Sequence, residues 1–110
     1  MQSIDIIRLS EKQKQQLVVL KRKTGIENWN VLCRWALCLS LADPTEPPKE
    51  DIPSDSNVEM SSKVLFGEMQ GVYSSILIQY LKSSTYDSAY SLLKSHISRG
   101  IHLLSSSLTM

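Results

Sequence analysis

Residues 3–41, SIDIIRLSEKQKQQLVVLKRKTGIENWNVLCRWALCLSL, decide the fold. Ile4-Asp5-Ile6-Ile7-Arg8-Leu9 is β-branched and apolar, which predicts a short strand with Ile4, Ile6 and Arg8 on one face. A lone strand has no independent stability, so it needs a partner from this chain or from a second subunit. Ser10 then stands as a helix N-cap, with Gln13 in place to complete a capping box. The helix that follows, Glu11 to about Thr24, puts Gln13, Leu17, Leu20 and Thr24 on one side. Gly25 is placed to end it in a left-handed turn. A second helix is predicted from about Glu27 to Leu41. Its apolar residues, from Trp29 to Leu41, wrap most of the circumference, which marks a helix buried on more than one side. In a chain of 110 residues such burial calls for a second subunit, so a homo-oligomer is expected.

The rest of the chain divides in two. Asp43 to Asn57 holds all four prolines among acids and serines, the composition of a solvated loop or linker. Ser61 or Ser62 caps a third helix running to about Lys82, with Leu65, Met69, Val72, Ile76 and Tyr80 as its apolar stripe. Gly67 and Gly71, unfavourable within a helix, read as places of close helix approach. A fourth helix, Tyr86 to about Leu104, carries the stripe Tyr90, Leu93, Ile97, Ile101 and Leu104, with Gly100 marking a kink or a close contact. Residues 105–110 read as a frayed end. The expected fold is therefore mainly α: a short N-terminal strand, then a bundle of about four helices, assembled as a homo-oligomer. One domain spans 1–110, comprising a basic strand-helix-helix (1–41), an acidic proline-rich linker (42–60) and a helical hairpin (61–110).

The formal charge of +1 conceals a split. Residues 1–41 carry seven basic side chains against three acidic ones, a net of +4. Residues 42–60 carry Lys49 against six acids, a net of −5, and residues 61–110 a net of +2. The field near a surface depends on where charges cluster, so a nucleic-acid partner is compatible with this distribution. The candidate backbone-contacting residues are Lys12, Lys14, Lys21, Arg22 and Lys23 on the first helix. Lysines neutralise phosphates without reading bases. The competing reading of these five is an ordinary solvated helix face. The functional alternative for the linker is an acidic arm that competes with DNA for them. Strand-helix-helix order is shared with ribbon-helix-helix repressors. Here, however, only Asp5, Arg8 and Gln2 are available on the strand to read bases.

Catalytic and metal signals are weak. His96 and His102 lie six apart, off a shared helical face, with no acid at ligand spacing beside them, so no metal site is expected. No nucleophile elbow or phosphate-binding glycine loop occurs. A nucleophile built from Cys33 and His96 has no local support. Cys33 and Cys38 lie five apart on a helix and so diverge by about 140°. They read as buried apolar thiols. No apolar run approaches the ~18 residues of a membrane span. The N-terminus lacks the layout of a secretory signal, so the expected compartment is the cytoplasm.

The segment LVVLKRKTGIENWNVLCRWALCLSL (17–41) resembles the N-terminal signature of the DndE family of DNA sulfur-modification proteins. The matching pieces are Lys23-Thr24-Gly25, Asn30 and the run Arg34 to Leu41. Arg8-Leu9-Ser10, Leu65-Phe66-Gly67-Glu68 with Tyr73, and His96-Ile97-Ser98-Arg99-Gly100 resemble the same family in the same order. The resemblance implies a non-catalytic subunit, with no cofactor, of the system that replaces a non-bridging oxygen of the DNA backbone with sulfur. It implies that a cysteine desulfurase, a sulfurtransferase and an SMC-like ATPase supply the sulfur and ATP chemistry. It further implies a small helical protein, a homotetramer, binding double-stranded DNA with a preference for nicked duplex. An adaptor bridging the other modification proteins, with little DNA binding, is the alternative.

Overall fold

The computed structural model describes residues 6–107. Strand β1 (Ile6–Arg8) leads into α1 (Glu11–Thr24) and α2 (Trp29–Ala42). A long strap follows, ending in β2 (Glu59–Ser61). Then come α3 (Ser62–Phe66), a 3-10 turn (Gly67–Met69), α4 (Gln70–Lys82) and α5 (Ala89–Ser107). The chain is mainly helical with a short N-terminal strand, as its sequence indicates.

The strand finds its partner within the chain. β1 pairs antiparallel with β2, Ile7 opposite Met60 and Arg8 opposite Glu59. Ile7 and Met60 turn inward and are buried, whereas Ile6 is 57% exposed. The expected strand residues Ile4 and Asp5, like Gln2, lie outside the described residues. Leu9 extends the pairing: its N–H donates to the Val58 carbonyl, and its own carbonyl accepts from the Ser56 N–H and hydroxyl. The stretch expected as a solvated linker is thus a pinned strap. Its long-range hydrogen bonds, rather than its composition, hold it against the helices.

Local signals set the ends of α1. Ser10 Oγ accepts from Gln13 N–H at 3.1 Å and Gln13 Oε1 accepts from Ser10 N–H at 2.9 Å, a complete capping box. Gly25 closes the helix at φ 76°, its N–H bonded to the Lys21 carbonyl. Gln13, Leu17 and Leu20 are buried, the stripe that the periodicity indicates.

The core centres on the α2–α5 contact, the most extensive between any two elements. Leu32, Cys33, Ala36 and Leu37 of α2 join Leu92, Leu93, Ile97, Ile101 and Leu104 of α5 in one buried cluster. Each fully buried leucine or isoleucine contributes about 1.5–3 kcal/mol. A Cβ on Gly100 would lie 1.8 Å from the Ala36 carbonyl oxygen, so glycine lets the two backbones meet. Gly100 therefore marks a close contact. α2 also meets α1 and α3, while Trp35 and Cys38 face outward from the single chain.

Three expectations need correction. The third helix is broken, because Gly67 adopts φ 62°, ψ −142° after α3. The break resets the helical phase. Met69, Val72 and Ile76, expected to be buried, are 53%, 49% and 41% exposed, while Tyr73, Leu77 and Tyr80 turn toward the core. Gly71 meets nothing within 4 Å and makes no close approach. Finally, α5 starts later than expected, at Ala89, and remains helical to Ser107 rather than fraying at Ser105.

Candidate nucleic-acid interface

The five basic residues of α1 point in three directions. Lys14 and Lys21 share one flank. Lys14 Nζ donates to Asn57 Oδ1 at 2.8 Å, and Lys21 Nζ sits 3.5 Å from the centroid of the Trp29 ring. The second contact is a cation–π pair contributing about 0.5–1 kcal/mol at a partly exposed site. Lys12, on the opposite flank, borders a cleft that α1 forms with α5 and the strap. Arg22 and Lys23 are exposed and make no ion pair among the described residues. Lys21, Arg22 and Lys23 form the last turn, where positive charge also offsets the negative end of the helix dipole.

Lys21, Arg22 and Lys23 fan out around the last turn of α1, and Lys12 and Lys14 lie toward its other end. Trp29 joins the cluster, a neighbour that the basic residues alone do not reveal. The Thr24-Gly25 turn places it there, with Thr24 Oγ1 donating to the Leu20 carbonyl and accepting from the Ile26 N–H. Arg8, a possible base reader on the strand, is committed elsewhere. Its guanidinium donates to Glu59 Oε2 at 2.6 Å and to the Ser56 carbonyl at 2.9 Å.

The remaining sequence motifs are packing devices. Arg34 Nε donates to the Leu65 carbonyl at 2.6 Å and Nη2 to the Val64 carbonyl at 3.0 Å, satisfying the exposed end of α3. Its guanidinium lies against Gly67, where a Cβ would come within 3.1 Å. Phe66 and Tyr73 stack at 5.2 Å between centroids. Arg99 reaches across to the end of α2, donating to the Ser40 hydroxyl and carbonyl and to Thr45, with Asp43 at 3.7 Å. Ser40 Oγ, which accepts from Arg99, also shares a 2.7 Å hydrogen bond with His96 Nδ1, whose direction follows the His96 tautomer. His96 Nε2 has no hydrogen-bond partner among the described residues. The ring meets Tyr80 edge-on at 4.8 Å, the geometry of an aromatic pair. Burial, then the nearby Arg99 charge, lower the His96 pKa to about 4.

The cysteines differ, against the expectation that both are buried. Cys33 is enclosed, and burial pushes its thiol up to about 12. Cys38 is exposed and shares a 3.2 Å hydrogen bond with the Tyr73 hydroxyl, which with burial raises the Tyr73 pKa. Cys38 sits on the outer side of α2, away from the α5 contact, as the divergence along the helix requires. Among the described residues no three His, Cys, Asp or Glu side chains are placed to hold a metal, and no helix is long and apolar enough to cross a membrane.

Over residues 6–110 the sequence matches the family described as DNA sulphur modification protein DndE. The chain belongs to the DndE family. Solved members have the same fold. DndE from Escherichia coli B7A, described as involved in DNA phosphorothioation modification, is 21% identical, with a TM-score of 0.78 over 94% of this chain and 99% of that one. A glycine-to-lysine mutant of a DndE involved in DNA phosphorothioation is 19% identical, with a TM-score of 0.73 over 93% and 97% of the two chains. None of the curated proteins matches the sequence. Within this chain Arg34, Ser40, Gly67, Arg99 and Gly100 join α2 to α3 and α5.

Proposed function

We propose that this DndE-family protein is a non-catalytic, oligomeric DNA-binding subunit of DNA phosphorothioation machinery, contacting the duplex backbone through the last turn of α1. The observation that carries this reading is the cluster of Lys21, Arg22 and Lys23, with Arg22 and Lys23 exposed and unpaired among the described residues, in a chain of this family. Such a cluster grips phosphates and has little capacity for base readout. A preference for nicked duplex follows if binding bends the DNA, because a nick lowers the deformation cost. Lys12 and Lys14 are assigned as secondary contacts, since Lys14 is shared with Asn57 and Lys12 lies with Glu50 and Asp51 along one cleft.

A homotetramer would multiply this turn. Support for self-association comes from the exposed Trp35, Val64, Met69, Val72 and Ile76, a large apolar allotment for a chain this small. The same apolar residues favour a second reading, an adaptor among the other DNA sulfur-modification proteins with little DNA affinity. The cytoplasm is the compartment that either role requires.

The test is binding to nicked and intact duplex over a salt series, with the oligomer measured by light scattering. Three phosphate contacts in each engaged subunit give a slope of log affinity against log salt of about −2.7 per subunit. The Lys21→Ala, Arg22→Ala, Lys23→Ala triple variant is expected to remove that slope and most of the affinity. No binding by the wild type, or unchanged affinity in the triple variant, refutes the site. Co-purification with the modification proteins in the absence of DNA affinity would favour the adaptor.

A further inference from the structure

We propose that Trp29 is a stacking platform for one unpaired base of bound DNA, seated in the cleft between the flank of α1 and residues 57–59 of the strap. The inference rests on the backbone-contacting role proposed above. It adds a second kind of contact, one that a phosphate cannot make.

Trp29 opens α2, half-buried, with part of its surface packed against the core. A side chain rather than the core covers one face of its ring. Lys21 Nζ lies over that face, 3.5 Å from the centroid, and Lys21 is itself partly exposed. The ring also lines a cleft of about 380 Å³ with Lys14, Asn57, Val58 and Glu59. That volume falls within the range of small-molecule sites and is ample for one nucleobase. Val58 is buried, whereas Asn57 and Glu59 are exposed, so the cleft joins an apolar residue to a polar rim.

The groups around the cleft suit a nucleotide. Glu59, the one acid in the lining, is neutralised by Arg8 at 2.6 Å. Lys14 and Lys21 have neutral partners, the Asn57 carboxamide and the Trp29 indole. A phosphate offers either ammonium a stronger partner than the one it has. Lys21, on turning to the DNA backbone, uncovers the ring. Asn57 accepts from Lys14 through Oδ1, which leaves its NH2 group to donate to a base edge. One nucleotide thus presents a π face for Trp29, an acceptor for Asn57 and a phosphate for the lysines. An aromatic ring set among lysines is the arrangement that holds single-stranded nucleic acid without reading its sequence. Inside an intact duplex a base is already stacked and paired, and freeing it offsets what the ring returns. The platform therefore favours DNA in which a base is already unpaired.

The test uses the full-length protein and three DNAs: a blunt duplex, the same duplex with a short thymidine tail, and the same with an abasic tail. The two tails carry equal phosphates. Stacking one base on an aromatic side chain is worth about 5- to 150-fold in affinity. The wild type is thus expected to bind the thymidine tail at least about fivefold more tightly than the abasic one. Trp29→Leu, which keeps an apolar side chain against the core, is expected to bind both tails alike, and Trp29→Phe to keep part of the difference. In Trp35→Phe protein, whose one remaining indole is Trp29, fluorescence should be quenched by the thymidine tail and not by the abasic one. That measurement leaves position 29 untouched and decides the matter should Trp29→Leu fail to fold. Equal affinity of the wild type for the two tails, a difference that survives in Trp29→Leu, or equal quenching by both tails overturns the platform. Any of these alongside salt-dependent binding of the blunt duplex leaves the backbone contact standing, whereas no binding to any of the three DNAs overturns both.

Discussion

Replacing Gly100 by alanine is expected to be the most damaging single-methyl change in this protein. The new Cβ would lie 1.8 Å from the Ala36 carbonyl oxygen, 2.3 Å from its carbon and 2.8 Å from its Cα, all backbone atoms that cannot rotate away. Ordinary contact begins at 3.4 Å, so the shortest of these distances requires α2 and α5 to part by about 1.6 Å. A radial gap of even 0.5–1 Å forfeits roughly a quarter to a half of the dispersion well for each pair of facing atoms. Here the gap opens along the main contact of the core, flanked by Cys33, Leu37, Ile97 and Ile101. Alanine's better helix propensity returns at most about 1 kcal/mol. A net loss of about 3–5 kcal/mol follows, at or beyond the upper end for overpacking. That is a large part of the ~5–15 kcal/mol that stabilises a typical domain. Gly71→Ala is the matched control: the same chemical change in α4, with nothing within 4 Å of the new carbon, is expected to stabilise by about 0.5–1 kcal/mol. Urea unfolding followed by circular dichroism, at several protein concentrations to expose any linkage to assembly, measures both. A Gly100→Ala variant within about 1 kcal/mol of wild type, or a Gly71→Ala variant that falls with it, refutes the assignment of the α2–α5 contact as the hinge of stability.

Two further predictions concern titratable groups. His96 has its folded-state pKa lowered from 6.5 to about 4, so the unfolded chain binds the extra proton first as pH falls. Its contribution is complete above pH 6.5 and declines by up to about 3 kcal/mol as pH falls toward 4. Urea midpoints for wild type and His96→Gln between pH 7 and pH 4 should converge as the pH drops, and parallel curves would exclude His96 as the source. Thiol labelling of the native protein should leave Cys33 unmodified, given its burial and raised pKa, and any fast reaction should vanish in Cys38→Ser. A rapid phase that survives that substitution would mean α2 is packed otherwise.

What could be foreseen from the sequence depended on how far its causes reach along the chain. The capping box of Ser10 and Gln13 and the glycine that closes α1 act within a few residues, and they stood where expected. Gly100 left a kink and a close contact both open, whereas the α5 stripe was apparent through its periodicity. The break at Gly67 was not. It is held by Arg34, some thirty residues away, bonding the carbonyls of Val64 and Leu65. Once the phase was lost, Met69, Val72 and Ile76 were assigned to the wrong side. The strap misled for a similar reason. Proline and acid suggest a solvated loop, yet Arg99, Lys94 and Tyr86 tie its carbonyls to the helices. The candidate site was legible as a set of charges but not as a surface. Spacing along α1 separates its flanks, whereas the contacts that engage Lys14 and Lys21 come from Asn57 and Trp29.

The α2–α5 contact also governs the order of events during synthesis. α2 leaves the ribosome first, and the helix that covers it is made last, after roughly 60 further residues. At about 5–20 residues per second this helix waits roughly 3–12 s for its partner. Throughout that interval Leu32 and Leu37, which end in the cluster with α5, lack that cover. The first stretch to follow it out is the strap, with a net charge of −5 and all four prolines. Charge and proline both discourage the strand-like association through which unfinished chains aggregate. The segment that pins the finished fold thus also shields the nascent one.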